Sequence, residues 1–221
     1  MKTTTYTNQE SLGHEFSLHR PASEIILKRS LTALIGVAIC LLVNVALRLD
    51  YIVLGNQVGE LSITEGLEQL MLVLSAGSFF YLAKRQTKLK HAATLMGAFF
   101  LVMLIRENDA FFDYIVHGFW VYPALAVTFA AITYAVRNGK QTLDQLAVIL
   151  SSSYMNMLVL GLIMLLVFSR LFGMGSFWQG VMAEHYVRDV KNIVEEGSEL
   201  LAYCIIAFSS IKILRGFKTK H

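Results

Sequence analysis

Cysteine, proline and charge are all scarce in this chain of 221 residues. Two cysteines exclude a disulfide-stapled scaffold, which needs many paired cysteines in a loop-rich fold. Cys40 and Cys204 both lie inside apolar runs and read as small buried hydrophobes. Two prolines and 15 glycines exclude a collagen-like repeat. Charged residues make up 16% of the chain, against roughly 25% in an ordinary soluble domain. That shortage excludes a disordered chain and a nucleic-acid-binding domain, and it argues against a soluble globular enzyme. No low-complexity segment and no convincing internal repeat appear.

Apolar sequence is what the chain has in excess. Hydrophobic residues make up 55% and the mean hydropathy is +0.55. The apolar runs are Leu31–Leu47, Leu67–Leu82, Ala92–Ile105, Tyr114–Val136, Leu146–Phe168 and Leu200–Leu214. Runs of about 18 residues or more read as membrane spans. The last helix is expected to begin earlier, near Glu184. The first run lacks a small-residue cleavage site and reads as a retained span, not a secretory signal. Strands cannot span lipid singly, because their backbone groups would go unpaired, and no alternating barrel pattern is present. The expected fold is therefore all-α: a polytopic membrane bundle with six transmembrane helices over residues 30–214. A cytoplasmic amino-terminal tail (1–29) precedes it and a cytoplasmic carboxy-terminal tail (215–221) follows. Within the first tail, PASEIILKR reads either as a short helix on the membrane surface or as a loose segment.

Lysine and arginine set the orientation. Lys2, Arg20, Lys28 and Arg29, then Lys84, Arg85, Lys88 and Lys90, then Arg137 and Lys140, then Lys212, Arg215, Lys218 and Lys220 fall on one side, fourteen of the 19 basic residues. That side is the cytoplasm, which holds both termini. Short loops point to the cytoplasmic (inner) membrane of a bacterium. The acids do the opposite: only Glu10, Glu15, Glu24 and Asp144 share the basic side. The other twelve of 16 lie at the outer ends, namely Asp50, Glu60, Glu65, Glu68, Glu107, Asp109, Asp113, Glu184, Asp189, Glu195, Glu196 and Glu199. Acids contribute little to topology, so orientation alone does not require this clustering.

Three segments carry the outer acids. In RENDAFFDYIVHGFW, Asp109, Asp113 and His117 are spaced by four and share a helical face. Asp109 also fits a simple helix start. In EHYVRDVKNIVEEGSELLAY, His185, Arg188, Asn192, Glu195 or Glu196, Glu199 and Tyr203 fall at steps of three and four, a polar stripe on one helix. In SITEGLEQL, Ser62 and Glu65 fit a capping box, with Glu68 one turn deeper. Ionisable residues within a span usually face the bundle interior and mark function. The run Ser151–Ser153 reads as small hydroxyls at a helix–helix contact.

One chemistry that fits is a metal site of oxygen and imidazole donors suited to zinc, manganese or iron. Asp113, His117, His185 and Glu199 would be the ligands, and Glu68 or Glu195 the general base. Arg106 and Arg188 would orient carboxylates or hold an anionic headgroup. The substrate would then be a lipid or a lipid-linked amide or ester, giving a metal-dependent hydrolase or lipid-modifying enzyme. Ligand spacing is not diagnostic, since no HExxH or repeated histidine box occurs. The same groups could instead relay protons or cations in a transporter, or form a structural network in an assembly protein.

The segments EGLE, RENDAFFD with HGFW, and EEGSELLAY resemble bacterial polytopic membrane proteins of unknown function. They are also similar to the alkaline-ceramidase-like superfamily of membrane hydrolases. That likeness implies a zinc site of histidines, an Asp and a Ser at the outer end of a helical bundle, with amide hydrolysis on lipids. The chain departs from it in carrying Glu195, Glu196 and Glu199 in place of paired histidines, and six expected spans where that superfamily usually has seven. No catalytic residue is carried over from it.

Overall fold

A computed structural model describes residues 22–55 and 62–218. The expected tail up to residue 21, together with Glu60 and Lys220, lies outside the described residues. Among those described, every regular element is helical. Five helices are long and apolar enough to cross a membrane: Ala22–Val53, Ile63–Arg85, Thr87–Glu107, Met155–Phe172 and Arg188–Phe217. This composition is that of a multi-pass membrane protein. A further apolar helix, Val121–Arg137, is shorter.

The chain divides into two compact units, Met1–Ala38 and Ile39–His221. The described part of the first is helical. It carries an ion pair between Lys28 and Glu24 one turn apart and a hydrogen bond from Thr32 Oγ1 to Lys28 O at 2.9 Å. Its large side chains Ile26, Leu27, Leu31, Leu34 and Val37 are all exposed, as befits a helix whose solvent is lipid. Helix α1 runs over Ala22–Arg48 and widens into a π-helical turn, Leu49–Val53. PASEIILKR is thus helical from Ala22 onward, with no break before the apolar run.

In the second unit, α2 (Ile63–Arg85) packs against α3 (Lys90–Glu107) and α10 (Arg188–Lys218). A short α4 (Asp109–Asp113) leads to α5 (Val121–Arg137), which lies on α3 beside α6 (Gly139–Leu150). The chain then forms α7 (Met155–Ile163), a π-helical turn (Met164–Phe168) and α8 (Ser169–Phe172). It continues into α9 (Gly175–Met182) and α10. The core is made by Leu72, Phe79 and Leu82 of α2, Phe100 of α3, Leu158 of α7 and Ile206 of α10, with Phe79 and Phe100 stacked at 5.6 Å. Without a hydrophobic drive between helices in lipid, close backbone approach supplies the packing. Gly161 of α7 is one example: a Cβ there would lie 2.8 Å from Ile206 Cγ1 and 3.4 Å from Ala202 O.

Three boundaries differ from expectation. The fourth helix starts at Val121, not Tyr114, because the chain turns through residues 114–120 around Gly118, whose φ of +79° only glycine adopts without strain. The fifth run is cut: α6 ends at Leu150, and the apolar helix restarts at Met155. The serines cause the cut, since Ser151 Oγ donates to Val148 O at 2.8 Å and competes with the helical ladder. The last helix begins at Arg188, because Ala183–His185 forms a separate 3-10 turn with Ala183 at a φ of 47°.

Candidate functional site

The start of α2 is built by a distant residue. Asp50, in the π-helical turn after α1, is 0% exposed. Its Oδ1 accepts from Ile63 N at 2.9 Å, and its Oδ2 accepts from Thr64 N at 2.9 Å and Thr64 Oγ1 at 2.6 Å. A carboxylate here satisfies the free N–H groups of the first turn and complements the helix dipole. Ser62 Oγ accepts from Glu65 N at 3.0 Å, so the expected Ser62 cap is present. With its start held this way, α2 carries Glu65 and Glu68 into the bundle.

Glu68 is 3% exposed, and its Oε1 is buried with no hydrogen-bond partner. The carboxylates of Glu196, Glu199, Glu107 and Glu65 act on it electrostatically. The C-terminus of α3 and the first turns of α10 therefore converge on the start of α2. Glu107, the last residue of α3, accepts from Tyr203 Oη at 2.7 Å, and Arg106 Nη1 lies 3.7 Å from the same Glu107 oxygen. Glu199 is buried beside Ser169 Oγ at 3.1 Å and feels the Arg170 guanidinium. Glu195 forms an ion pair with Lys191 one turn earlier, and its carboxylate passes so close to Gly173 that any Cβ there would overlap it. Among the described residues neither Glu68 nor Glu196 has an ion pair.

The imidazoles are elsewhere. Asp113 Oδ2 lies 2.7 Å from His117 Nδ1, and Asp113 Oδ1 accepts from Gly118 N at 2.7 Å. This is a local clasp that closes the turn after α4, and the His117 side chain is 97% exposed. The Gly118 amide foremost, and His117 after it, hold the Asp113 carboxyl below its ordinary value. Asp109 serves the helix start, accepting from Ala110 N at 2.7 Å. His185 and Arg188 are exposed.

The ligand set expected from sequence is thus not gathered. Asp113 and His117 share a surface turn, His185 sits in a turn before α10, and Glu199 is buried among carboxylates. Among the described residues no three His, Cys, Asp or Glu side chains form a group that could hold a metal. Of the two expected bases, Glu68 is within the cluster and Glu195 is paired at its edge. Of the two expected arginines, Arg106 reaches Glu107, while Arg188 only opens α10.

Glu107, Tyr203, Ser169, Arg170 and Asp50 had no assigned role from sequence. The sequence marked Tyr203 as the last member of the α10 stripe, and Glu107 and Asp50 only as members of the outer acid excess. An apolar groove of about 250 Å³ between α3 and α5 is lined by Leu95, Ala98, Phe99, Val102, Thr128, Ala131 and Ile132, with no ionisable group. The chain matches no protein-family model, no curated protein and no solved structure.

Proposed function

We propose that the chain is a cation- or proton-coupled transporter of a bacterial cytoplasmic membrane, with six spans, both termini in the cytoplasm and an outward-facing carboxylate site. The sixth span in this reading is Val121–Arg137, whose 17 residues extend about 26 Å, close to the hydrocarbon thickness. The orientation rests on the basic loops: Lys84, Arg85, Lys88, Lys90, Arg137 and Lys140 belong to the end of the bundle away from Glu68 and Glu107.

The single observation that carries the function is Glu68: almost fully buried, one oxygen without a partner, and faced by carboxylates. Removing an ion from water costs several kcal/mol, and repulsion adds to that cost. A site of this kind is stable when it shares a proton or a small cation. Oxygen-only donors favour hard cations over the softer metals of the hydrolase reading.

The test is uptake into liposomes containing the purified protein, followed with trapped pH-, sodium- and potassium-sensitive dyes. The expected result is uptake of one cation that Glu68→Gln abolishes and His117→Ala leaves intact. Stoichiometric zinc, manganese or iron in the purified protein, lost in His117→Ala and accompanied by hydrolysis of lipid amides, would overturn this reading in favour of the enzyme. No uptake, with the fold intact and a protein partner recovered only when Glu68 is present, would overturn it in favour of an assembly role.

A further inference from the structure

We propose that the cation is the proton, and that it reaches Glu68 from the outer surface along one stripe of α10 with the Tyr51 hydroxyl as a relay. This rests on the transporter reading above and narrows it.

Four independent features support it. Asp189, Asn192, Glu196, Glu199 and Tyr203 follow one another at steps of three and four along α10, a continuous polar edge from its first turn to the level of Glu68. Beside that edge, the Tyr51 hydroxyl is buried without a hydrogen-bond partner, and Glu196, Asp189 and Asp50 act on it. At the inner end of the route, Glu68 Oε1 is likewise buried and without a partner. Finally, Ser169 Oγ lies 2.6 Å from Leu165 O and 3.1 Å from Glu199 Oε1. A hydroxyl has one hydrogen. When that hydrogen serves Leu165, the Glu199 contact is a hydrogen bond only if Glu199 carries a proton. The Ser169 hydroxyl thus accommodates either form of Glu199, donating to the carboxylate or accepting from the protonated acid.

The groups facing Glu68 are Glu65 on its own helix, Glu107 from α3, and Glu196, Glu199, Tyr203 and Cys204 from α10. The nearby cations are committed elsewhere: Arg106 to Glu107, Lys191 to Glu195, and Arg170 toward Glu199. Added positive charge therefore has one unneutralised destination, the Glu68–Glu196 pair. The transfer balances simply. A hydronium ion outside protonates the Asp189 end and leaves as water; Tyr51, through a bridging water, passes its own hydrogen toward Glu196 as it accepts another, and Glu196 hands its proton on to Glu68. One O–H bond forms on Glu68 as one breaks on the donor. Bridging waters fill the intervals between side chains, and no electron moves.

The experiment is infrared difference spectroscopy of the full chain in liposomes, between alkaline and acidic buffer, with an acid jump for the rate. A carbonyl-stretch band of a protonated carboxylic acid is expected on acidification, absent from Glu68→Gln and altered in Glu196→Gln. Tyr51→Phe should keep the band but form it about tenfold more slowly, the effect of one lost hydrogen bond on a barrier. Circular dichroism confirms that each variant is folded. A band that survives in Glu68→Gln, a rate untouched by Tyr51→Phe, or a band displaced by sodium at constant pH would each overturn the proposal. Sodium or potassium uptake by the wild type without any Glu68 band sinks the proton route alone. Absence of all uptake, with the band present, sinks the transporter reading alone.

Discussion

Asp50→Ala tests the physical basis of the site at its foundation. The substitution removes three accepted hydrogen bonds at once, from Ile63 N, Thr64 N and Thr64 Oγ1, at a position that is fully buried. Loss of a helix cap costs about 1 kcal/mol, and stranding the buried Thr64 hydroxyl adds about 1–3 kcal/mol. Burying the Asp50 carboxylate has its own cost, which the alanine recovers in part. The net expectation is destabilisation of about 2–3 kcal/mol, a fall in Tm of roughly 4–12 °C for a chain of this size. Thermal unfolding in detergent reads the shift, and hydrogen exchange reads its place: amides 63–66 should lose protection first. Asp50→Asn should fall between, because one amide oxygen can replace only part of what two carboxylate oxygens accept. Thr64→Val in the Asp50→Ala background should cost less than it does alone, since its partner is already gone. An unchanged Tm together with unchanged exchange at the start of α2 would refute the capping argument and the anchoring of Glu68 built on it.

Two further outcomes follow from particular contacts. Gly161→Val drives a branched side chain into Ile206 and the Ala202 carbonyl; overpacking of this kind costs about 1–3 kcal/mol, and the fall in Tm by thermal unfolding in detergent checks it. Asp113 predicts a local pH dependence whose sign is fixed. Its carboxyl is held below the ordinary 3.8, so the Asp113–Gly118 clasp contributes fully above that value and fades as pH falls through the lower folded value. Carboxyl NMR of Asp113 and exchange of the Gly118 amide should report this, and the cation uptake expected under the proposed function should not follow it.

How much of this was legible in the sequence depends on what each signal measures. Apolar runs located the five long apolar helices, because lipid demands length and apolarity of a helix whatever its neighbours do, while the fourth run yields the shorter Val121–Arg137. They placed boundaries badly where local hydrogen bonds compete with the helix. The serines at 151–153 lie inside an apolar run, yet they end α6, and Asp113 with Gly118 folds seven residues of the fourth run into turns. The acid excess at one end included Glu68 and Glu199, both of which the fold buries. It failed to separate them from Asp113, because the spacing of Asp109, Asp113 and His117 is helical only if the helix continues, and α4 stops at Asp113. Asp50 was visible only as one of the outer acids, and its capping role was not: its partners are 13 and 14 residues away, beyond any local motif.

The acid-rich end is best understood as two populations of carboxylate. Asp50, Glu107, Glu195 and Glu199 each have a specific hydrogen-bond donor or cation: the α2 amides, Tyr203 and Arg106, Lys191, and Ser169 with Arg170. Asp50, Glu107 and Glu195 behave as scaffold, since a satisfied polar network fixes helix positions in a medium that offers no competing water, whereas Glu199 is held in the same way but also lies on the polar edge of α10. Glu68 and Glu196 have neither an ion pair nor a hydrogen bond among the described residues, and the surrounding carboxylates act on both. A fold that neutralises four acids with such specificity has cations to spare for the others: Arg48 and Arg188 lie exposed near the same ends of their helices. Leaving Glu68 and Glu196 without partners is therefore a local exception to the rule that buried charge is paired. Exceptions of that kind concentrate where a protein binds something that comes and goes.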